Sequence, residues 1–177
     1  MIGIDYQQIP LFDPEVYAYI STGDTEGIFQ IESAGMKDLV RDMFADVRSR
    51  IKACKSDEDR ENLGKECFER LVAAISLYRP GPLDYIPDYI AGMRDVHNIH
   101  YDTPELKDIL SMTYGVICYQ EQVQQICRKL AGYSYGRADL IRRGMAKKKP
   151  EIIEHEKNIF LYGNKKDYKA GKDNAYV

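Results

Sequence analysis

The stretch 119–132, YQEQVQQICRKLAG, constrains this chain more than any other. Tyr119, Val123, Ile126, Cys127 and Leu130 recur at i, i+4, i+7, i+8 and i+11, which is one stripe of a 3.6-residue helix, and Gly132 stands where a left-handed residue closes it. A helix with a single apolar stripe must bury it against other elements, and the chain offers mostly helices for that purpose. DPEVYAYIS opens with Asp13 as N-cap and Pro14 at the first helical position. Ser33 is placed to cap a helix that begins near Met36. FERLVAAISLY is apolar all round, as a central buried helix is, and RPGP stops it. TPELKDIL is a short helix behind Thr103 and Pro104, and Pro150 starts another that runs to about Tyr162. The only β-like pieces are EGIFQIES at 26–33 and TYGVICY at 113–119. The expected fold is therefore mainly α, a multi-helix body with one or two short β segments.

At 177 residues, 44% of them hydrophobic, the chain can bury one substantial core. No apolar run reaches the length of a membrane span, and the N-terminus shows no signal-peptide pattern. Cys54, Cys67, Cys118 and Cys127 form no CxxC pair and read as small apolar residues in a reducing compartment. The expected location is cytoplasmic. From Asp42 to Arg70 charges of both signs alternate densely, which reads as one or two exposed helices on a more compact body.

Charge is also uneven along the chain. Between Gln120 and Lys149 eight cations face only Glu121 and Asp139, a local +6 in a protein whose net charge is -3. Such asymmetry suits a polyanionic partner. The densest part is ADLIRRGMAKKKPEI. On a helical wheel Ala138, Ile141 and Met145 share one side, with Leu140 and Gly144 beside them. Arg142, Arg143, Lys147 and Lys149 fall on the other half with Asp139 and Ala146, and Lys148 breaks the pattern where the helix ends. Arginine grips phosphate oxygens bidentately and lysine adds point charge. Gly144 and Ala146 remove bulk, so that a ligand can approach the backbone. By charge alone, a solvated and solubilising face is the simpler reading.

Signs of a complete active site are missing. His97 and His100 lie in a loop-like HNIH without the pattern of zinc ligands. Asp57 and Asp59 form a D-x-D, but in a run that is polar on every side. No glycine-rich phosphate loop and no G-x-S-x-G elbow occurs.

Three blocks, GDTEGIFQIESAGMKDLV, FERLVAAISLYRPGPLDYIPDYI and TYGVICYQEQVQQICRKLAGYSYGRADLIRRGMAKKKPE, occur in this order. Together they resemble the fingers region of the alpha subunit of bacterial DNA polymerase III, the C-family replicative polymerase, over about residues 9–162. The RPGP form is the one matched, rather than the Gram-positive form with proofreading in the same chain. The resemblance implies a fingers subdomain with residues 1–35 as a connector from the palm side and 36–163 as the helical fingers region. Residues of about 41–66 exceed the family's usual connection and read as an exposed charged insertion, and 164–177 is expected to be a polar tail at a truncated boundary. It further implies that Arg142 and Arg143 contact the triphosphate of the incoming dNTP, and that Lys147 and Lys148 add phosphate or template-backbone charge. The resemblance implies as well that Arg79 lines the nucleotide pocket and that Tyr119, Gln120, Glu121 and Gln122 build its wall.

The family's catalytic carboxylates, which hold Mg2+, belong to a palm domain with no counterpart here. No catalytic or metal residue is therefore expected in this chain, which alone is expected to be inactive and monomeric. The implied partners are template–primer DNA, dNTP, the palm of the same parent chain, and the sliding clamp and other replisome proteins through regions outside this chain. No membrane is implied. Two rival readings are a lesion-tolerant paralogue of the same family and a free-standing helical nucleic-acid-binding or interaction protein.

Overall fold

A computed structural model describes residues 5, 7 and 9–163; the stretch 164–177, read above as a polar tail, lies outside them. The helices are α1 (Pro14–Ile20), α2 (Ala34–Met43), α3 (Val47–Ala53), α4 (Asp57–Leu77), α5 (Ile86–Arg94), α6 (Pro104–Leu110), α7 (Gln120–Ala131), α8 (Tyr135–Ala146) and α9 (Pro150–Tyr162). Short 3-10 turns at Pro82–Tyr85, Val96–Asn98 and Ser111–Thr113 link them. The fold is mainly α. It divides inside α5, between Ile90 and Ala91, into two compact units.

In the first unit α1 packs on α3 and α4, and both α2 and α3 pack on α4. Local chemistry starts these helices where expected. The Asp13 carboxylate accepts the Glu15 amide at 3.0 Å ahead of Pro14, and Ser33 Oγ accepts the Met36 amide at 3.4 Å. The D-x-D is half of a capping box: Ser56 Oγ accepts the Asp59 amide at 3.1 Å, and Asp59 Oδ2 accepts the amides of Lys55 and Ser56. Phe44, Val40, Val47, Cys67 and Leu77 form the core, with Tyr17 stacked on Phe44 at 5.7 Å between ring centroids. α4 passes so close to the N-terminal segment at Gly64 that any side chain there would strike the Phe12 carbonyl.

The charged run from Asp42 to Arg70 is only partly solvated. Arg70 is buried, its side chain 4% exposed, and its guanidinium donates to the Met43 carbonyl (3.0 Å), to both Asp46 oxygens (2.7 and 3.2 Å) and to Glu66 Oε1 (2.6 Å). Arg50 holds the same Glu66 bidentately at 2.7 and 2.6 Å. Burial alone would raise the Asp46 and Glu66 carboxyls, but the arginine hydrogen bonds and charges outweigh it and hold both below the usual carboxylate range.

In the second unit α6, α7, α8 and α9 pack in succession, and α9 also touches α7. Cys127, Ala131, Tyr133, Ala138 and Ile141 form the core, with Val123, Ile153, Ile159 and Phe160 against it. From the α7 stripe Val123 and Cys127 enter this core, and Gly132 ends the helix at φ 62 as its position requires.

Neither expected β segment forms a strand among the described residues. In 26–33 the chain coils into turns: the buried Thr25 hydroxyl donates to the Ile31 carbonyl at 2.5 Å, and Gln30 sits at φ 67. In 113–119 Tyr114 and Gly115 both take positive φ. Tyr119 is extended, but its amide and that of Cys118 donate to the Gln122 side chain instead of to a neighbouring strand. A β-like apolar pattern without a pairing partner becomes a loop.

Candidate functional site

α8 owes its position to its two ends. Ser134 Oγ caps it by accepting the Arg137 amide at 3.4 Å. At the other end Lys147 N donates to the Arg143 carbonyl and Lys149 N to the Gly144 carbonyl at 2.9 Å, with Lys148 in the left-handed region at φ 48. Pro150 then opens α9 at once. The three lysines are thus the turn between two helices, where cations also suit the carbonyl end of α8. All three are exposed and without an acidic partner among the described residues.

Gly144 serves a purpose other than access for a ligand. A Cβ there would come within 3.0 Å of Ile152 Cγ2 and 3.5 Å of Ile153 Cδ1, so its missing side chain lets α9 pack against α8. Ala138, Ile141 and Gly144 are the buried face, while Leu140 and Met145, expected beside them, are about half exposed.

Of the eight cations, three are occupied with structure. Arg137 Nε meets the buried Glu156 at 3.0 Å and its guanidinium lies over the Tyr133 ring. Burial first, and then the Glu156 charge, push the Tyr133 phenol above its usual range. Arg128 stacks on Tyr135 at 3.4 Å from the ring centroid, and Lys129 pairs with Asp108 at 2.5 Å.

What remains is Arg142, Arg143 and the lysine turn. Asp139 joins the two arginines: its Oδ1 receives Arg142 Nε at 2.8 Å and Nη2 at 2.7 Å, and its Oδ2 receives Arg143 Nε at 2.6 Å. From α7, Gln124 Nε2 donates to Asp139 Oδ1 at 3.1 Å, and Gln120 Oε1 accepts from Arg142 Nη1 at 2.6 Å. The hydrogen bond from Arg142, with the charges of both arginines, holds the Asp139 carboxyl below its usual range. Arg143 remains 67% exposed and Arg142 29%. The result is Arg142 held through all three guanidinium nitrogens and Arg143 through its Nε, beside three ammoniums without an acidic partner among the described residues, a cluster of charge suited to the oxygens of a phosphate chain.

The YQEQ block divides its work. Gln120 reaches Arg142, Glu121 is exposed and Tyr119 half-buried. Gln122 is buried and turns toward the end of α6, accepting the Cys118 and Tyr119 amides and donating to the Ile109 carbonyl (3.3 Å) and Thr113 Oγ1 (2.8 Å). Arg79 belongs to the first unit, exposed after α4, with Nε 3.4 Å from the Ile75 carbonyl and Gly81 turning the chain at φ 105. Asp139 and Gln124 were not singled out from sequence. The signal was present for Asp139, since it precedes the two arginines by three and four residues.

Among the described residues no three His, Cys, Asp or Glu side chains converge as a metal site would require, so no metal is placed here. His97 and His100 are exposed. No helix is long and apolar enough to cross a membrane among the described residues.

The family model for the bacterial DNA polymerase III alpha subunit finger domain matches residues 1–53 and 60–168. DNA polymerase III subunit alpha of Halalkalibacterium halodurans is 41% identical over 161 residues, 91% of this chain and 13% of that protein. The subunit of the same name from Staphylococcus aureus strain MRSA252 is 43% identical over 166 residues, 94% of this chain and 14% of its own length. The chain thus spans about one seventh of these relatives. With the family model matching nearly all of it, the chain belongs to the finger domain family of the bacterial DNA polymerase III alpha subunit.

Proposed function

We propose that this chain works within a DNA polymerase, where α8 and the turn after it receive the triphosphate of the incoming dNTP opposite template–primer DNA. The observation that carries the reading is the pair Arg142 and Arg143, both fixed to Asp139, beside Lys147, Lys148 and Lys149, which have no acidic partner among the described residues. Fixed cations of this kind neutralise the charge that grows on the leaving pyrophosphate without having to reorganise during the reaction. Within the same reading Tyr119, Gln120 and Glu121 line the nucleotide pocket, and Arg79 offers a further cation for phosphate oxygens. Gln122 supports that wall from behind. Residues 1–35 lead in from the palm side and 36–163 form the fingers. The family match breaks only over 54–59, which supports an insertion within 41–66.

Mg2+ would activate the primer hydroxyl and steady the leaving group in such an enzyme, but the donor set among the described residues does not fit it. Carboxylates elsewhere in a parent polymerase would have to hold it. The chain by itself is therefore expected to give no primer extension with dNTPs and Mg2+, and a measurable rate would overturn that view. In the full-length subunit, Arg142→Ala with Arg143→Ala is expected to raise KM for dNTP and to lower kcat, with kcat/KM falling roughly a hundredfold. Steady-state extension of a primed template checks this; unchanged kinetics would remove the triphosphate assignment.

A further inference from the structure

Asp139 presents an apparent contradiction. It lies in the middle of the basic face and cancels part of the charge that would attract a polyanion. As a stabilising device it is weak, because partly exposed pairs three and four residues apart on one helix add little. Its geometry is nonetheless specific. The carboxylate takes the Nε of both arginines, one on each oxygen, and so the terminal nitrogens of Arg143 have no protein partner among the described residues. An exposed arginine not held in this way would sample several rotamers. The clamp is itself braced from a second helix, by Gln124 on the Asp139 side and by Gln120 on the Arg142 side.

We propose that Asp139 is a positioning residue that sets the two guanidinium forks at one spacing and orientation for the phosphate chain, with Gln120 and Gln124 as its braces. The proposal rests on the triphosphate reading of Arg142 and Arg143. Asparagine has nearly the same size but only one oxygen, so it can accept from one Nε, and its NH2 would face the other guanidinium donor. Asp139→Asn thus leaves both positive charges in place and releases their alignment. Binding through charge alone survives this change, whereas stabilisation of the transition state depends on alignment.

In the full-length subunit, with rates normalised to active sites, Asp139→Asn is expected to lower kcat about tenfold while KM for dNTP moves less than about twofold. The deciding measurement is a double-mutant cycle. Placed on top of Arg142→Ala and Arg143→Ala, the Asp139→Asn change should have no further effect, because nothing is left to position. A purely structural contribution would persist in that background, and a full additional tenfold loss there would overturn the proposal. It also fails if Asp139→Asn alone is silent while the arginine variant is impaired. An arginine variant that is itself silent would instead refute the triphosphate reading, and the role of Asp139 with it.

Discussion

Replacing Arg70 with alanine is expected to destabilise the first unit by about 3 kcal/mol, because it removes the interior cation from two partly buried carboxylates and leaves them to Arg50 alone. Arg70 is the interior member of the network. It bridges Asp46 after α2 to Glu66 on α4 and also satisfies the Met43 carbonyl at the end of α2. Asp46 and Glu66 are themselves only about half shielded, 43% and 36% exposed, which keeps the cost at the lower end for a broken buried pair. Methionine in place of alanine would refill much of the volume but none of the charge, so most of the loss should remain. Hydrogen exchange of the α4 amides reads the effect directly, since opening of this unit exposes them.

The same network carries a pH signature. Both carboxyls are held below their ordinary range in the folded state, so their contribution is present above the unfolded value of about 4 and is lost as pH falls through the folded values. In the alanine variant only Arg50 remains to hold Glu66, and the acid dependence of α4 exchange should flatten. A variant that keeps the parent's full acid slope would show that Arg70 is not what lowers these groups.

Much of the fold could be read from the sequence wherever local rules act alone. The stripe of α7, its closure at Gly132, the Asp13–Pro14 and Ser33 starts, and the stop at RPGP all depend on neighbours within one turn. The misreadings arise where a distant partner decides. Residues 113–119 have strand composition, but the Cys118 and Tyr119 amides are claimed by a glutamine three or four positions on, and among the described residues no second strand competes. Arg70 looks like one more charge in an alternating run until α2 and α3 fold against it. Gly144 looks permissive toward a ligand until α9 doubles back and fills the space with Ile152. At the candidate site, the wheel correctly placed Arg142 and Arg143 on the polar side of α8. The spacing of Asp139, three and four residues before them, also carried the pairing within α8, but nothing told that α7 would supply two glutamines, because pairing across helices has no period along one of them.

Gln122→Leu is expected to cost the second unit roughly 3–4 kcal/mol, although the side chain is conserved in volume and the site is buried. The amide of Gln122 makes four bonds that leucine cannot: it accepts from the Cys118 and Tyr119 amides at 2.8 and 3.0 Å, and it donates to the Ile109 carbonyl and to Thr113 Oγ1. Thr113 retains a partner, since its hydroxyl also donates to the Val116 carbonyl at 2.6 Å. The other three groups are left to find water or remain unpaired, and that penalty exceeds any gain from a more apolar core. Glutamate is the sharper test. It preserves both acceptor bonds, but the nitrogen becomes an oxygen facing the Ile109 carbonyl and the Thr113 hydroxyl, so the protonated acid fits better than the carboxylate. The folded-state pKa of the new glutamate should therefore lie above its unfolded value, with stability fully present below that value and lost as pH rises through the folded one. Urea unfolding of Gln122→Glu between pH 4 and pH 8, set against the parent chain, decides the matter: a loss that deepens with pH is the expected result. Stability unchanged at every pH would mean that Gln122 acts through its acceptor bonds to the Cys118 and Tyr119 amides alone.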